Sequence, residues 1–170
     1  MSFFRACIIS CLLLGMALSI PGQANAMAGK GKPAPNFSLT TVAGTKLDLN
    51  ALRGKVVVID FFATWCPPCR DAIPHLIDLQ RRFGAKGLQV AGLSADDEDE
   101  TRTVREFVTN NRINYPVAIT SEELRDEYGL RSIPVLFVID KKGVVIEVFR
   151  GLGGDMTKRL DDLVQKLLVN

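Results

Sequence analysis

Residues 56–70, VVVIDFFATWCPPCR, constrain the fold more than any other stretch of the chain. They begin with the nearly unbroken apolar run Val56–Phe62, which is typical of a strand buried on both faces. A short turn then leads into a Cys-Pro-Pro-Cys sequence. Apolar residues recur after it at helical spacing, at Ile73, Leu76, Ile77 and Phe83. The sequence therefore predicts two cysteines, Cys66 and Cys69, on the first turn of a helix that follows a central strand.

Two cysteines at this spacing can contribute to a metal site, form a static bridge, or cycle between dithiol and disulfide. A zinc site needs two further Cys or His ligands, and downstream of residue 26 the chain offers only His75. A static bridge across so short a loop would restrict the unfolded chain very little. We therefore favour a reversible redox pair, with no bound metal and no cofactor.

Cys66 is the expected nucleophile of the pair. As the N-cap residue, it would face unpaired N–H groups and the positive end of the helix dipole, which favours the thiolate. Pro67 and Pro68 each remove an N–H donor, so the Cys69 N–H is the main donor left. We infer a moderately stabilised thiolate, which is more typical of a reductant than of a strong oxidant.

Several motifs match one known family. WCPPC matches its active-site motif, Pro74 the helix-kinking proline that follows, and Ile133 with Pro134 a loop that faces the dithiol. Residues 31–39, GKPAPNFSL, are similar to the segment that opens the family's core domain. On these residues the chain resembles the thioredoxin superfamily, and within it the membrane-tethered or periplasmic thiol:disulfide oxidoreductases of the TlpA/ResA/CcmG kind.

The resemblance implies an α/β thioredoxin fold, with a mixed central sheet flanked by helices, an N-terminal β-hairpin and an inserted helix. The order of predicted strands and helices agrees with this fold. The resemblance also implies that the Ile133–Pro134 bond is cis and that Ile133 offers backbone groups to an extended substrate. Trp65 beside the reactive sulfur is expected to limit water access and to contact substrate together with Pro67 and Pro68.

Two positions near the dithiol decide how far the resemblance extends. ResA-like proteins carry an acidic residue three positions after the second cysteine, where this chain has Ala72, and Asp71 lies on a different helix face. Asp60 matches the buried aspartate of thioredoxin. Burial in an apolar strand is expected to raise its pKa and to suit it to take a proton from Cys69. The alternative is a solvated Asp60 at a strand end.

The chain divides into three predicted segments. Residues 1–26 have one positive charge, an apolar run and a small-x-small site, which is the pattern of a signal peptide. An uncleaved membrane anchor is the alternative. Residues 27–36 are predicted to be a leader or short tether, and residues 37–170 a thioredoxin-like domain. Cys7 and Cys11 fall in the first segment, and the location is predicted to be periplasmic or otherwise extracytoplasmic.

The near balance of charged residues gives no argument for a nucleic-acid partner, and none is predicted. The chain has 21 Lys and Arg against 19 Asp and Glu, and removing residues 1–26 takes away only Arg5.

The acidic run at residues 96–100 is predicted to lie at the N-terminus of the next helix. Thr120 and Glu123 predict a capping box, and His75 is expected on a solvent-facing helix surface.

These features predict a monomeric enzyme that reduces protein disulfides. Cys66 would attack a substrate disulfide and Cys69 would release the reduced product. The resemblance implies substrates such as apocytochrome c haem-site cysteines or metal-site thiols, and a membrane electron donor of the CcdA/DsbD kind. Three alternatives are a disulfide-forming oxidant, a copper(I) carrier and a thiol peroxidase. The N-terminal segment also resembles AhpC/TSA peroxiredoxins, which carry threonine where this chain has Ala63.

Overall fold

The computed structural model describes residues 27–151, 153 and 155–169. The predicted signal peptide, with Cys7 and Cys11, lies outside the described residues. The strands are β1 Ser38–Thr40, β2 Lys46–Asp48, β3 Val56–Phe62, β4 Leu88–Ser94, β5 Val117–Ile119, β6 Val135–Ile139 and β7 Val145–Arg150. The α-helices are α1 Pro67–Phe83, α2 Thr101–Asn110, α3 Glu122–Glu127 and α4 Met156–Val169. Within this part of the chain, no helix is both long enough and apolar enough to cross a membrane.

A mixed five-stranded sheet organises the domain. Its strand order is β5-β4-β3-β6-β7. β4 runs parallel to β3 and β5 parallel to β4, whereas β6 and β7 pair antiparallel. β1 and β2 form a separate antiparallel hairpin, and α2 lies between β4 and β5 in the chain. The predicted α/β fold with a mixed sheet, an N-terminal hairpin and an inserted helix is therefore confirmed.

Apolar side chains pack on both faces of the sheet, as the uninterrupted strand β3 predicts. One core contains Phe62, both cysteines of the CPPC motif, and Leu160 of α4. The other core contains Phe61 and Tyr128, whose ring centroids lie 5.0 Å apart. Each large apolar side chain that is fully buried stabilises the fold by roughly 1.5–3 kcal/mol. Successive residues of β3 point alternately into the two cores. The residues of β3 with even sequence numbers therefore face the core that contains the cysteines.

Residues of the N-terminal segment, which the sequence predicts to be a leader or short tether over residues 27–36, form hydrogen bonds with the sheet. The Gly31 N–H donates to the Val145 carbonyl over 2.8 Å, and the Val145 N–H donates to the Lys32 carbonyl over 2.9 Å. Farther along, the Val42 N–H donates to the Val117 carbonyl of β5 over 2.8 Å. Glycine and proline composition alone did not reveal these bonds, because they depend on strands more than seventy residues away in the chain.

The start of α3 lies one residue later than predicted. Ser121 is the N-cap, and its hydroxyl accepts a hydrogen bond from the Leu124 N–H over 3.2 Å. The predicted cap, Thr120, is buried, and its N–H donates to the Ser94 carbonyl over 2.8 Å. The capping box at Thr120 is therefore wrong, because this residue is held by the neighbouring strand instead.

Candidate active site

The two cysteines lie where strand β3 passes into helix α1. Cys66 is the N-cap residue of α1, and Pro67 and Pro68 open the helix, as predicted. The sulfurs form a disulfide, with the two Cα atoms 5.4 Å apart. Cys66 is 4 % exposed and Cys69 is fully buried. Among the described residues, Cys66 is therefore the member of the pair that keeps some exposure to an attacking partner.

The first backbone hydrogen bonds of α1 differ from the expectation for the disulfide form. The Cys69 N–H, predicted to be the main donor to the Cys66 sulfur, donates to the Cys66 carbonyl over 3.2 Å. The Cys66 side chain accepts no capping hydrogen bond from any described residue. With proline at the next two positions, the Cys66 sulfur has the helix dipole as its main source of positive potential.

Asp60 is a fully buried carboxyl group in the middle of β3. Its position on the strand places it on the same face as Phe62 and the cysteines. Neither carboxyl oxygen has a hydrogen-bond partner among the described residues. Burial therefore raises the pKa of Asp60 to about 7. The predicted burial and raised pKa are confirmed, and the alternative of a solvated strand end is wrong.

Tyr115 lies on the same side of the sheet as Asp60. Burial, and secondly the nearby charge of Asp60, raise the pKa of this phenol well above its ordinary value of 10. The tyrosine therefore stays protonated over the physiological range. Asp60 is opposite Gly92 of β4 and Leu136 of β6, so the strands on either side place no charged residue opposite it.

The predicted substrate-binding residues lie next to Cys66 in the chain and in the loop before β6. Trp65 is 63 % exposed, and Pro67 and Pro68 are also exposed. The Ile133–Pro134 bond is cis, as the resemblance implied. Ile133 is half-buried and packs against the core that contains both cysteines. The structure thus brings the Ile133 loop to the same core as the dithiol, from far along the chain.

The position three residues after Cys69 carries no acid. Ala72 is buried there in the same core as the cysteines, and Asp71 is exposed. The acidic group that ResA-like proteins present at this place has no counterpart on this face of α1. Asp60 is thus the buried carboxyl group that the structure places on the dithiol face of β3.

His75 does not face solvent as predicted. Its side chain is 21 % exposed, and its Nε2 atom lies 3.2 Å from Oδ1 of Asp161 on α4. Arg82 donates to the other oxygen of Asp161 over 2.7 Å. The expectation is wrong because α4 covers this side of α1, and the polar residues connect the two helices.

Sequence reasoning missed the role of Asp96. Asp96 belongs to the acidic run that is predicted to lie at the N-terminus of the next helix, but it is 2 % exposed and accepts two hydrogen bonds from Thr64. The positions of Thr64 and Asp96 relative to the strand ends could have indicated that they meet. Thr64 and Asp96 each lie two residues beyond the end of a buried strand, and adjacent parallel strands end at the same edge of a sheet.

A disulfide at the N-cap of the helix that follows the central strand, with a cis-proline loop packed on the same core, defines a dithiol redox protein of the thioredoxin class. A sequence model of the AhpC/TSA family matches residues 30–148. The chain is 35% identical over 138 residues to the thiol-disulfide oxidoreductase ResA of Bacillus thuringiensis (strain Al Hakam), covering 81% of this chain and 78% of that protein.

Two further similarities agree with this class. The thioredoxin-like protein YneN of Bacillus subtilis (strain 168) is 34% identical over 138 residues, with 81% of this chain and 78% of that protein covered. A crystal structure of a thiol:disulfide interchange protein of the thioredoxin family from Chlorobium tepidum TLS matches with a TM-score of 0.73 at 32% identity, covering 82% of this chain and 98% of that one. The chain belongs to the AhpC/TSA family and, within it, is a ResA-like thiol-disulfide oxidoreductase of thioredoxin fold.

Proposed function

We propose that the protein reduces disulfides of exported proteins outside the cytoplasm, with Cys66 as the attacking thiol and Cys69 as the resolving thiol. The observation that carries this proposal is the unequal burial of the pair, with Cys66 4 % exposed and Cys69 fully buried in the core that lies on the same face of β3 as Asp60. A substrate sulfur can reach the outer thiol, whereas the inner one can react only with its neighbour.

The first step is attack of the Cys66 thiolate on a substrate disulfide. The substrate S–S bond breaks, a bond forms between Cys66 and one substrate sulfur, and the other substrate sulfur leaves as a thiolate that takes up a proton. The helix dipole at the N-cap favours the attacking thiolate. Trp65, Pro67 and Pro68 are exposed around it and would contact the substrate.

The second step closes the enzyme disulfide. Cys69 gives its proton to the Asp60 carboxylate and attacks the Cys66 sulfur, so the mixed disulfide breaks and the second substrate thiolate leaves. A base is most effective when its pKa is near the working pH, and burial raises the pKa of Asp60 to about 7. Two electrons pass from the enzyme dithiol to the substrate disulfide.

Recognition of an extended substrate would use the loop that contains Ile133 and Pro134. Ile133 has no backbone hydrogen-bond partner within the described part of the chain, since the ladder of β6 begins at Val135. Its N–H and carbonyl are available for a short β-strand addition. The Pro134 carbonyl accepts from the Gly151 N–H over 2.9 Å, which fixes the loop against the end of β7.

The proposed cellular setting is supported by the sequence pattern of the first 26 residues and by the family resemblance. The signal-peptide pattern supports export to a periplasmic or other extracytoplasmic compartment. There the oxidised pair would be returned to the dithiol by a membrane thiol carrier of the CcdA/DsbD kind. Apocytochrome c haem-site cysteines and metal-site thiols are the proposed substrates of the monomeric enzyme.

The test is to trap the substrate in the native host. The Cys69→Ser variant keeps the attacking thiol and loses the resolving thiol, so we expect mixed disulfides that dithiothreitol releases and mass spectrometry identifies. The Cys66→Ser variant is the matched control and is expected to trap nothing. Equal trapping by both variants, or none by either, would contradict the assignment.

A second measurement separates a reductant from an oxidant. Equilibration of the Cys66–Cys69 pair with glutathione gives its reduction potential. A reduction potential well below the strongly oxidising range, which lies at about −120 mV, supports a reductant. A value in that range supports the disulfide-forming alternative. Titration of the dithiol with copper(I) tests the carrier alternative in the same sample.

A further inference from the structure

Four polar residues meet where the parallel strands β3 and β4 end, beside the turn that leads to Cys66. We call this cluster the Asp96 clamp, and its members are Thr64, Arg70, Ser94 and Asp96. The Thr64 N–H donates to Oδ2 of Asp96 over 2.9 Å, and the Thr64 hydroxyl donates to Oδ1 over 2.6 Å. The Ser94 hydroxyl also donates to Asp96. The carboxylate thus holds both the backbone and the side chain of Thr64.

The Asp96 carboxylate is buried with neutral donors. Only 2 % of the residue is exposed, and it forms no ion pair among residues 27–151, 153 and 155–169. A buried carboxylate is tolerated only when hydrogen bonds replace its water. Hydrogen bonds to a charged acceptor are also stronger than those between neutral groups. Its three donors are therefore firmly held.

The backbone carbonyl of Thr64 is held by a residue of α1. The Arg70 guanidinium donates to the Thr64 carbonyl over 2.7 Å and 3.2 Å. Arg70 is the residue after Cys69, so this contact joins the turn to the helical turn that carries both sulfurs. The guanidinium carbon also lies 5.9 Å from the ring centroid of Phe107 on α2, which stacks on Phe62 at 5.9 Å. Thr64 is therefore fixed from the sheet, from α1 and, through Arg70, from α2.

We propose that Asp96 is a positioning residue for dithiol exchange: it holds Thr64, and through it the turn carrying Trp65 and Cys66, in the geometry that lets Cys69 close the disulfide. This inference rests on the exchange reaction described above. Closing a disulfide within the chain depends on the effective concentration of one sulfur at the other, which falls when the connecting backbone is loosened. Freeing Thr64 loosens the residue two positions before Cys66.

The test measures the equilibrium constant between the Cys66–Cys69 disulfide and glutathione. Asp96→Asn keeps the side-chain volume but leaves a nitrogen that cannot accept a hydrogen bond, so we expect the protein disulfide to become about tenfold less stable, or about 30 mV more oxidising. Asp97→Asn removes the same charge from the neighbouring exposed residue and is expected to match the wild type.

Loss of the Asp96 charge would by itself favour the reduced thiolate, so a second pair of variants that changes no charge is needed. Substitutions of Thr64 separate the effect of positioning from this effect of charge. Thr64→Val removes the hydroxyl donor without changing charge, and we expect a loss of disulfide stability of about threefold, in the same direction as Asp96→Asn. Thr64→Ser keeps the hydroxyl and is expected to retain most of the wild-type constant. The pKa of the Cys66 thiol, measured from the pH dependence of its alkylation rate, is expected to be the same in Thr64→Val and Thr64→Ser.

Each result has one interpretation. If Thr64→Val unfolds cooperatively and keeps the wild-type equilibrium constant with glutathione, the proposed positioning role of Asp96 is refuted. It is also refuted if Thr64→Ser loses as much as Thr64→Val. If the wild type itself fails to exchange with glutathione, the proposed reductase function fails instead. The variants at Thr64 decide the question even if Asp96→Asn does not fold.

Discussion

Replacing Asp60 by asparagine is expected to change how the stability of the oxidised protein depends on pH. The carboxyl group has a pKa near 3.8 in the unfolded chain and about 7 when buried. Between these values the folded protein holds a proton that the unfolded chain has released. Stability therefore falls as the pH rises through this window, because the folded protein must then hold a buried charge. Asparagine has no charge to bury.

The size of the effect follows from the gap between the two pKa values. Each pKa unit corresponds to about 1.4 kcal/mol, so a gap of about three units corresponds to about 4 kcal/mol. The wild type is expected to lose about this amount, relative to Asp60→Asn, between pH 4 and pH 8. Well below pH 3.8 the two proteins should differ only by the constant cost of burying the amide. Above pH 8 their difference should again be constant.

Urea unfolding of the oxidised proteins at several pH values measures this difference. The disulfide removes thiol titration, and other ionisable groups are common to both proteins, so subtraction isolates Asp60. Asp71→Asn is the control, because its carboxyl group on α1 is exposed and keeps its water in both states. Parallel stability curves for wild type and Asp60→Asn would show that the buried carboxyl does not carry the raised pKa on which the proton-transfer step depends.

Two further stability predictions concern residues around the same sheet. Gly92→Ala should cost about 1–3 kcal/mol, because a Cβ would lie 3.0 Å from Val117 and 3.1 Å from Phe62, closer than ordinary contact. Gly153→Ala is the control, because a Cβ there would meet no atom of the described residues within 4 Å, and equal urea midpoints would contradict the packing argument. Ser121→Ala should cost about 1 kcal/mol by removing the N-cap of α3. Thermal unfolding beside the exposed-site variant Ser132→Ala tests this, and no difference between them would refute the cap.

Features encoded over a few residues could be predicted from the sequence. Strand β3 has the predicted bounds, and Cys66 is the N-cap, because apolar runs and the residues at a helix start act locally. The burial of Asp60 was also predictable, since an acid inside an apolar strand has no access to water. The cis bond before Pro134 came from family resemblance instead.

Features that depend on contacts between distant segments could not be predicted in the same way. Asp96 belongs to an acidic run that has the composition of a solvated helix start, and its burial depends on β4 pairing with β3. His75 was placed in solvent because nothing nearby in the sequence indicates α4 and its Asp161. Thr120 is of a residue type that often caps helices, but its N–H is bonded to a neighbouring strand, and the helix cap is the next residue.

The N-terminal segment has a consequence for how the protein handles other chains. A border strand normally offers unpaired N–H and carbonyl groups to any extended polypeptide, which invites aggregation. Here Gly31 and Lys32 occupy such groups at Val145 on one border, and Val42 occupies one at Val117 on the other. The protein's own chain thus shields part of each border, which reduces the exposed strand edge to which another extended chain could add.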